Sequence, residues 1–375
     1  MRAANVDALV VTHLPNLFYL TNFSGTAGIA VVTADRLHLI VDFRYASAVN
    51  ELQASPHGAP ATDIIPVERT YDETLAALLR KLKPERLGIE GAQLSIGRAQ
   101  QLARMLSATI ENTLAPSASG GSLAMVVTDG LVEALRIRKD EHEIEMLRRG
   151  GLLLSAVALD VLQDAKAGMM EQELAAKIDW RIKSAGFERC SFETIVASGP
   201  NSALPHAHAA ERVLREGDLV VLDFGGVYGG YCVDLTRTVA IGKADAEMRR
   251  VYGAVLEAQQ AAIAAARGGI RAGDIDAAAR QTLDRHNLAE AFGHSTGHGL
   301  GVEIHEAPRV GPRREAAAEG GAPADDLIEP GMVFTIEPGA YIPGWGGVRI
   351  EDDVLVTGEG VELLTNVPRE LTHGL

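Results

Sequence analysis

The sequence predicts an α+β protein built from two domains, and its length, its linker and its pattern of elements support this prediction. Its 375 residues amount to about two domains of ordinary size. Residues 1–118 alternate short apolar runs with segments of helical spacing, which is typical of an α/β layer. Residues 122–375 instead combine long helices with paired strands. The cluster of Pro, Ser and Gly at residues 116–121 is typical of a linker between them.

The first domain is predicted to contain strands and helices in alternation. Its strands are short apolar or β-branched runs, at residues 7–12, 27–33, 37–42 and 87–89. One helix is predicted at residues 71–82, where leucines recur on one face. A second helix is predicted at residues 95–106, and Ser95 is expected to cap its N-terminus.

The second domain is predicted to begin with long amphipathic helices. Helical spacing is found at residues 139–163, 171–185, 248–266 and 274–286. Gly186 is expected to end the second of these helices. Strands lie between and after the helices. The polar, charged segment 313–326 is predicted to be an exposed mobile loop, with a lid over a functional site as the alternative.

Composition and charge argue against several classes of protein. The net charge of −15 disfavours nucleic acid or an anionic membrane as the main partner. No apolar run approaches the ~20 residues that a membrane-spanning helix needs, and the first residues lack the pattern of a signal peptide. Cys190 and Cys232 form no CxxC pair, which favours small buried side chains in a reducing, cytoplasmic compartment.

One predicted hairpin brings two carboxylates together. The segments LVVLDFG and YCVDLTRTV are rich in apolar and β-branched residues, and VYGG separates them, which is typical of a hairpin. Asp223 and Asp234 are equally distant from the middle of this turn, between Tyr228 and Gly229. The spacing therefore predicts that the two carboxylates lie directly opposite each other on one face of the sheet.

A second predicted hairpin repeats this arrangement. The segments VFTIE and GVRIEDDVLV flank PGAYIPGWGG, and Glu337 and Glu351 are equally distant from Gly344 within that turn. Four buried carboxylates need about four positive charges, which two divalent metal ions supply. The alternative, four acids on exposed strand faces, is disfavoured by apolar neighbours such as Ile336 and Ile350.

The stretch GHSTGHGLGVEIHE contains three histidines among glycines that allow the backbone to pack closely around a site. His298, which glycines flank, is the expected metal ligand. His305 is better placed to contact the substrate or to stabilise an oxyanion, and His294 is expected to line a pocket wall. His206 follows Pro205 and is therefore expected in a turn or an extended segment.

These motifs resemble a known family. The segments LDFGGVYGGYCVDLTRT, HSTGHGLGVEIHEAPR, EPGMVFTIEPG and GWGGVRIEDD are similar to those of the prolidase and aminopeptidase P branch of the methionine-aminopeptidase-like metallopeptidases. The resemblance extends to ALRIRKDEHEIEMLR and DALVVTHLPNLFYLTNFSG, so it covers nearly the whole chain. It implies an N-terminal domain like that of creatinase and prolidase, followed by a catalytic domain with the pita-bread fold.

The resemblance also implies the roles of individual residues. The metal ligands of the family correspond to Asp223, Asp234, His298, Glu337 and Glu351, of which Asp234 and Glu351 would bridge two metal ions. Oxygen-rich ligand sets suit Mn²⁺, with Co²⁺, Zn²⁺ and Fe²⁺ as alternatives. The substrate-handling histidines of the family correspond to His206, His294 and His305, and Arg349 matches an arginine that tethers the site.

The resemblance implies an exopeptidase that would hydrolyse the bond between an N-terminal residue and proline. His305 would stabilise the oxyanion, Glu337 would pass a proton to the leaving nitrogen, and His206 with His294 would shape the pocket for the proline ring. Arg309 is a candidate to bind the carboxylate of a dipeptide through two parallel hydrogen bonds, which favours an Xaa-Pro dipeptidase. A surface arginine is the alternative.

Two other functions stay open at this point. An Xaa-Pro aminopeptidase would act on longer peptides with the same metal centre. An inactive pita-bread binding protein is disfavoured because such relatives lose metal ligands, and this sequence retains the full set. Short proline-containing peptides are the expected partners, and the resemblance implies a homodimer.

Overall fold

The chain folds into two compact units, Met1–Leu135 and Arg136–Leu375. This computed structural model describes residues 1–112, 123–313 and 326–374. The predicted linker at residues 116–121 lies outside the described residues, as does all but the ends of the predicted loop at 313–326.

The first unit is built on a mixed sheet of seven strands in the order β4-β3-β2-β1-β5-β7-β6. Its strands are β1 (Ala8–Val11), β2 (Ile29–Val32), β3 (Leu37–Val41), β4 (Thr62–Pro66), β5 (Arg86–Glu90), β6 (Thr109–Asn112) and β7 (Ala124–Thr128). Its helices are α1 (Leu14–Thr21), α2 (Ala46–Ala54), α3 (Tyr71–Leu82) and α4 (Ile96–Leu106). Alternate residues of β1 enter two separate apolar clusters, so both faces of the sheet are covered.

The boundary between the units lies later than the predicted one at residues 118–122. Strand β7 pairs in parallel with both β5 and β6, so it completes the sheet of the first unit. The sequence pattern missed this because β7 follows the Pro, Ser and Gly cluster at residues 116–121. A pairing between strands distant in sequence decides where the unit ends.

The predicted strands and helices of the first unit are confirmed, and the helices α1 and α2 and the strands β4 and β6 were missed. Helix α3 coincides with the predicted range, and the Ser95 side chain caps α4 by accepting a hydrogen bond from the Arg98 amide. Helix α1 is too short to show a clear period. The Glu90 carboxylate holds its start by accepting hydrogen bonds from the amides of Thr12 and His13, a contact that local sequence does not indicate.

The second unit contains the remaining elements, with the short helix α5 (Glu133–Arg136) across the boundary. Its long helices are α6 (Glu141–Asp164), α7 (Glu171–Ser184), α8 (Ala246–Ala265) and α9 (Ala272–Arg285), each within two residues of its predicted bounds. Its strands are β8 (Arg189–Cys190), β9 (Ile195–Ser198), β10 (Leu219–Tyr228), β11 (Tyr231–Ile241), β12 (Gly297–Gly299), β13 (Glu306–Val310), β14 (Val333–Ile336), β15 (Gly339–Ile342), β16 (Gly346–Arg349), β17 (Asp352–Val356), β18 (Val361–Leu363) and β19 (His373–Gly374).

These strands form two larger sheets and one strand pair. One sheet has the order β19-β11-β10-β8, with β9 also paired with β10, and the other has the order β13-β12-β14-β17-β18. Strands β15 and β16 pair with each other. Buried apolar residues of α8 and α9 pack with those of β14 and β17 in one core, which supports the second sheet.

The structure also bears on the cysteines and on membrane insertion. Both cysteines are free thiols, and Cys232 is buried as predicted, whereas Cys190 is only half-buried. Within the described ranges, no helix is both long and apolar enough to cross a bilayer.

Candidate metal centre and active site

One cleft in the second unit collects all of the predicted site residues. Its volume is about 500 Å³. The predicted residues that line it are His206, Asp223, Asp234, His294, His298, His305, Arg309, Glu337, Arg349 and Glu351. Segments that lie far apart in sequence therefore meet at a single site.

The first carboxylate pair is diagonal rather than directly opposed, so the predicted register was wrong. Asp223 lies opposite Thr236, and Asp234 lies opposite Gly225. The turn is formed by Gly229 and Gly230, both with positive φ, and not by Tyr228 and Gly229. Because the register differs by two residues, both carboxylates still emerge on the same face of the sheet.

The second carboxylate pair has the predicted register, but the predicted hairpin is divided between two sheets. Ile336 lies opposite Asp352 on one side of the break, and Gly339 lies opposite Arg349 on the other. This common register places Glu337 opposite Glu351 at the break.

The backbone amides of Glu337 and Glu351 form hydrogen bonds with residues outside the hairpin. Glu337 donates to the Thr296 carbonyl at 2.8 Å, and Glu351 donates to the Thr236 carbonyl at 3.1 Å. The second of these bonds ties the Glu351 position to strand β11, which carries Asp234. Because this bond forms at the break in the hairpin, it brings the two carboxylate pairs together in one cluster.

His298 lies on β12 with its imidazole turned towards the carboxylates. A Cβ atom on Gly297 would collide with the Thr335 carbonyl, and one on Gly299 would collide with the Ala307 carbonyl, so both flanking positions require glycine. His298 Nε2 lies 3.8 Å from Asp234 Oδ2 and 3.5 Å from Glu337 Oε1. Its Nδ1 hydrogen-bonds to the Gly299 carbonyl at 3.1 Å, which leaves the lone pair on Nε2.

These side chains fit a divalent metal. Ligand atoms of Asp234, His298 and Glu351 all lie within 4.8 Å of one another. Asp223 Oδ1, Asp234 Oδ1 and Glu351 Oε1 are buried and have no hydrogen-bond partner among the described residues. Buried acceptors without donors are costly unless a cation accompanies them. Carboxylates and an imidazole are suitable ligands for such a cation.

The electrostatics of the cluster support this interpretation. Burial, together with the neighbouring Glu351 carboxylate, raises the pKa of Asp234 well above its usual range. Burial also raises the pKa of Glu351, with Glu337 adding to the effect, and raises the pKa of Glu337 to about 8. Burial lowers the pKa of His298 to about 4, so its imidazole is neutral, as a metal ligand must be. Without a cation these acids therefore resist ionising together, and a bound cation would favour their charged forms.

A hydrogen-bonded chain links the cluster to the substrate side of the cleft. The Arg349 guanidinium donates to Asp223 Oδ2 and to the Tyr341 hydroxyl, the latter at 2.9 Å. The Tyr341 hydroxyl lies 2.8 Å from His294 Nε2, while His294 Nδ1 lies 2.8 Å from the Ser295 carbonyl. Since Nδ1 is the donor to this carbonyl, Nε2 accepts from the Tyr341 hydroxyl.

Thr236 and Tyr341 are two residues that the sequence reasoning missed. Thr236 Oγ1 donates to Glu351 Oε2 at 2.6 Å and accepts from Arg349 Nε at 3.2 Å. Neither residue carries a formal charge, so neither entered the search for acids and histidines. The period of two along each strand could have indicated them, because Thr236 is two positions from Asp234 and Tyr341 is four from Glu337.

Comparison with known families agrees with this geometry. Residues 145–358 match the model of metallopeptidase family M24, and residues 1–137 match that of the creatinase/prolidase N-terminal domain. The chain belongs to the M24 metallopeptidases. Its second unit is therefore a pita-bread metallopeptidase domain, and the fold that the sequence resemblance implied is confirmed.

Individual relatives cover nearly all of this M24 metallopeptidase. The Xaa-Pro dipeptidase of Pyrococcus horikoshii is 35% identical over 371 residues, which are 98% of this chain and 95% of that protein. The structure of an Xaa-Pro dipeptidase from Bacillus anthracis has a TM-score of 0.87 at 35% identity, covering 99% of this chain and 96% of that one. The structure of an X-Pro aminopeptidase from Thermotoga maritima has a TM-score of 0.84 at 30% identity, covering 99% of both.

Two more features of the M24 metallopeptidase complete the cleft. Ile195 lies opposite Asp223 and packs with the buried Ala197, Ala207 and Val221, so one wall beside the carboxylates is apolar. Arg309 lies directly opposite His298 in the pairing of β12 with β13. Its guanidinium is exposed in the cleft, and no carboxylate of the described residues forms an ion pair with it. The cleft thus offers an apolar wall, a cluster of carboxylates beside His298, and an arginine side chain without an ion-pair partner among the described residues.

Proposed function

We propose that this M24 metallopeptidase is an Xaa-Pro dipeptidase. The observation that supports this best is the position of Arg309, which is the cross-strand neighbour of His298 and whose guanidinium forms no ion pair with a carboxylate of the described residues. A guanidinium in this place can receive the free carboxylate of a two-residue substrate through paired hydrogen bonds. The relatives named Xaa-Pro dipeptidase that span nearly the whole chain support the same activity.

We infer that Asp223, Asp234, His298, Glu337 and Glu351 hold two divalent ions, with Mn²⁺ preferred for the oxygen-rich ligand set. When bound, such ions acidify water and polarise a peptide carbonyl. Arg349 and Thr236 keep the carboxylates of Asp223 and Glu351 in place through their hydrogen bonds.

The remaining cleft residues act on the substrate in this proposal. The exposed His305 ring packs against His298, at 4.3 Å between ring centroids, where it can donate to an oxyanion. Glu337 lines the cleft beside His298 and can pass a proton to the leaving nitrogen. His294, oriented by Tyr341, and the exposed His206 form the wall for the proline ring.

An Xaa-Pro aminopeptidase is the second candidate, because the structure of the Thermotoga maritima X-Pro aminopeptidase matches the chain over its whole length. The two activities share a metal centre and differ in the peptide length that they accept. A cytoplasmic location and a homodimer stay predictions of the sequence.

The two candidate activities are distinguished by the length of the peptide that the chain cleaves. The experiment strips the purified chain of metal, reloads it with Mn²⁺, and compares hydrolysis of Leu-Pro, Leu-Pro-Gly and the control Leu-Gly. Cleavage of Leu-Pro with little cleavage of the other two establishes the dipeptidase. A preference for Leu-Pro-Gly makes the chain an Xaa-Pro aminopeptidase, and cleavage of neither proline peptide by the metal-loaded chain contradicts both.

A further inference from the structure

A group of charged side chains, three of them buried and one half-buried, supports the segment that carries His305. This group, the Glu306 cluster, consists of Arg136, Lys139, Glu303 and Glu306. Arg136 Nη2 donates to Glu306 Oε2 at 2.6 Å, and Lys139 Nζ donates to Glu306 Oε1 at 2.8 Å. The side chain of Lys139 is 0% exposed and that of Arg136 is 1% exposed. Both oxygens of one carboxylate are therefore held by buried cations.

Residues 300–305, which connect β12 to β13, fold around this carboxylate. Glu306 Oε2 accepts a hydrogen bond from the Glu303 amide at 3.4 Å, and Arg136 also donates to Glu303 Oε2 at 2.7 Å. A Cβ atom on Gly301 would collide with the Glu306 carboxylate. The amide of Cys232 on β11 donates to the Gly301 carbonyl at 2.7 Å, which fixes the other side of the connection.

The Glu306 cluster lies behind the cleft rather than in it. None of its members lines the cleft, whereas His305, the residue before Glu306, does. Taking a lysine and an arginine out of water is expensive, and a buried ion pair often adds little net stability over apolar side chains. The cluster is thus explained better by the fixed geometry that it imposes on residues 300–305.

We propose that Glu306 is a positioning residue: by binding Arg136 and Lys139, it fixes residues 300–305 and so places His305 beside His298 for the reaction. This inference rests on the proposed peptidase function, because the position of His305 matters only if His305 acts on a bound peptide. The Glu306 side chain itself does not line the cleft.

The test uses two variants and one matched control. Glu306→Gln keeps the shape of the side chain and removes its charge. Because it leaves two buried cations with less negative charge beside them, it is expected to lower the melting temperature. Lys139→Met combined with Glu306→Gln removes a buried charge of each sign and is expected to recover stability. Asp164→Asn is the control, because Asp164 is also held by an arginine and a lysine, Arg181 and Lys177, and does not line the cleft.

The readouts are kcat and KM for Leu-Pro, bound metal, melting temperature, and hydrogen–deuterium exchange of residues 300–306. Both variants are expected to lose about 10- to 100-fold in kcat with KM little changed, since a small displacement of a catalytic group has an effect of this size. Exchange of residues 300–306 is expected to accelerate in both, while bound metal stays at the wild-type level. The control is expected to match the wild type in kcat and in exchange.

Recovery of kcat together with the melting temperature in the double variant overturns the proposal, because the loss would then have reflected stability alone. Wild-type kcat and wild-type exchange in both variants overturn it as well. A wild-type chain that cleaves no proline peptide contradicts the proposed function instead. The exchange measurement still decides in that case whether Glu306 holds residues 300–305.

Discussion

Asp234 and Glu351 each bury a carboxylate oxygen that no hydrogen-bond donor of the described residues reaches, and both belong to one group of ligand atoms within 4.8 Å of one another. Asp234→Asn is therefore expected to lose bound metal and to abolish peptide hydrolysis. In the metal-free protein the same change is expected to raise the melting temperature, because it removes one of several repelling acids. Metal analysis, Leu-Pro hydrolysis and thermal melting measure these effects.

The control for this variant is Asp160→Asn, which changes an acid of α6 whose side chain is 64% exposed. That control is expected to retain metal and activity. Full activity with normal metal loading in Asp234→Asn would contradict the assignment of Asp234 as a ligand.

The metal-free protein is expected to lose stability as the pH rises. Burial raises the pKa of Glu337 from its ordinary value of 4.5 to about 8, and the pKa values of Asp234 and Glu351 shift in the same direction. A carboxyl group whose pKa is raised on folding favours the folded state below its ordinary pKa, and this contribution is lost as the pH rises through the raised value. For Glu337, that window runs from pH 4.5 to about 8.

A divalent ion is expected to oppose this loss by compensating the carboxylate charges. The difference in melting temperature between Mn²⁺-loaded and metal-free protein should thus widen as the pH is raised from about 5 to about 9. Parallel melting curves of the two forms across this range would show that the raised pKa values do not govern stability.

Sequence reasoning found the acids and the face on which they lie, but not their register. The predicted pairing of Asp223 with Asp234 was wrong by two residues because the turn uses Gly229 and Gly230. A register shift by an even number of residues keeps every side chain on the same face of the sheet. The two carboxylates therefore still lie in one cluster, as predicted. The Glu337 and Glu351 register was right although the hairpin is split between sheets.

Contacts between distant segments account for what the sequence did not predict. The bond from Arg349 to Asp223, and the ion pair between Arg136 and Glu306, each join residues that only the folded chain brings together. No local period or spacing encodes the second pair, whose members are 170 residues apart. Metal ligands are easier to find because their chemistry restricts them to few residue types.

Tyr341→Phe is expected to lower kcat/KM for Leu-Pro by about 10-fold while bound metal stays unchanged. The substitution removes a hydroxyl that accepts from Arg349 and hydrogen-bonds to His294, so it loosens both side chains without touching a metal ligand. Loss of a buried hydrogen-bond partner is also expected to cost about 1–3 kcal/mol of stability.

Tyr252→Phe is the matched control for this change. Tyr252 is equally buried in the second unit, and its hydroxyl donates to the Arg369 carbonyl at 2.8 Å. A comparable loss of stability with unchanged kinetics is expected there. If both variants lost kcat/KM to the same extent, the chain from Arg349 through Tyr341 to His294 would have no specific role.

Arg309→Ala is expected to weaken cleavage of Leu-Pro by about 10- to 100-fold in kcat/KM, because hydrogen bonds to a charged carboxylate contribute about 1.5–3 kcal/mol. Any residual cleavage of Leu-Pro-Gly is expected to change much less, since the proline carboxylate of that peptide is bound in an amide. Arg309 is not one of the proposed metal ligands, so bound metal should not change.

Arg309→Lys separates charge from geometry in this comparison. Lysine keeps the positive charge but offers a single ammonium instead of a planar fork, so it is expected to restore only part of the Leu-Pro activity. If Arg309→Ala lowered kcat/KM equally for the dipeptide and the tripeptide, Arg309 would not bind the substrate carboxylate. The selection of peptide length would then have to come from another wall of the cleft, and the aminopeptidase would become the better description of the chain.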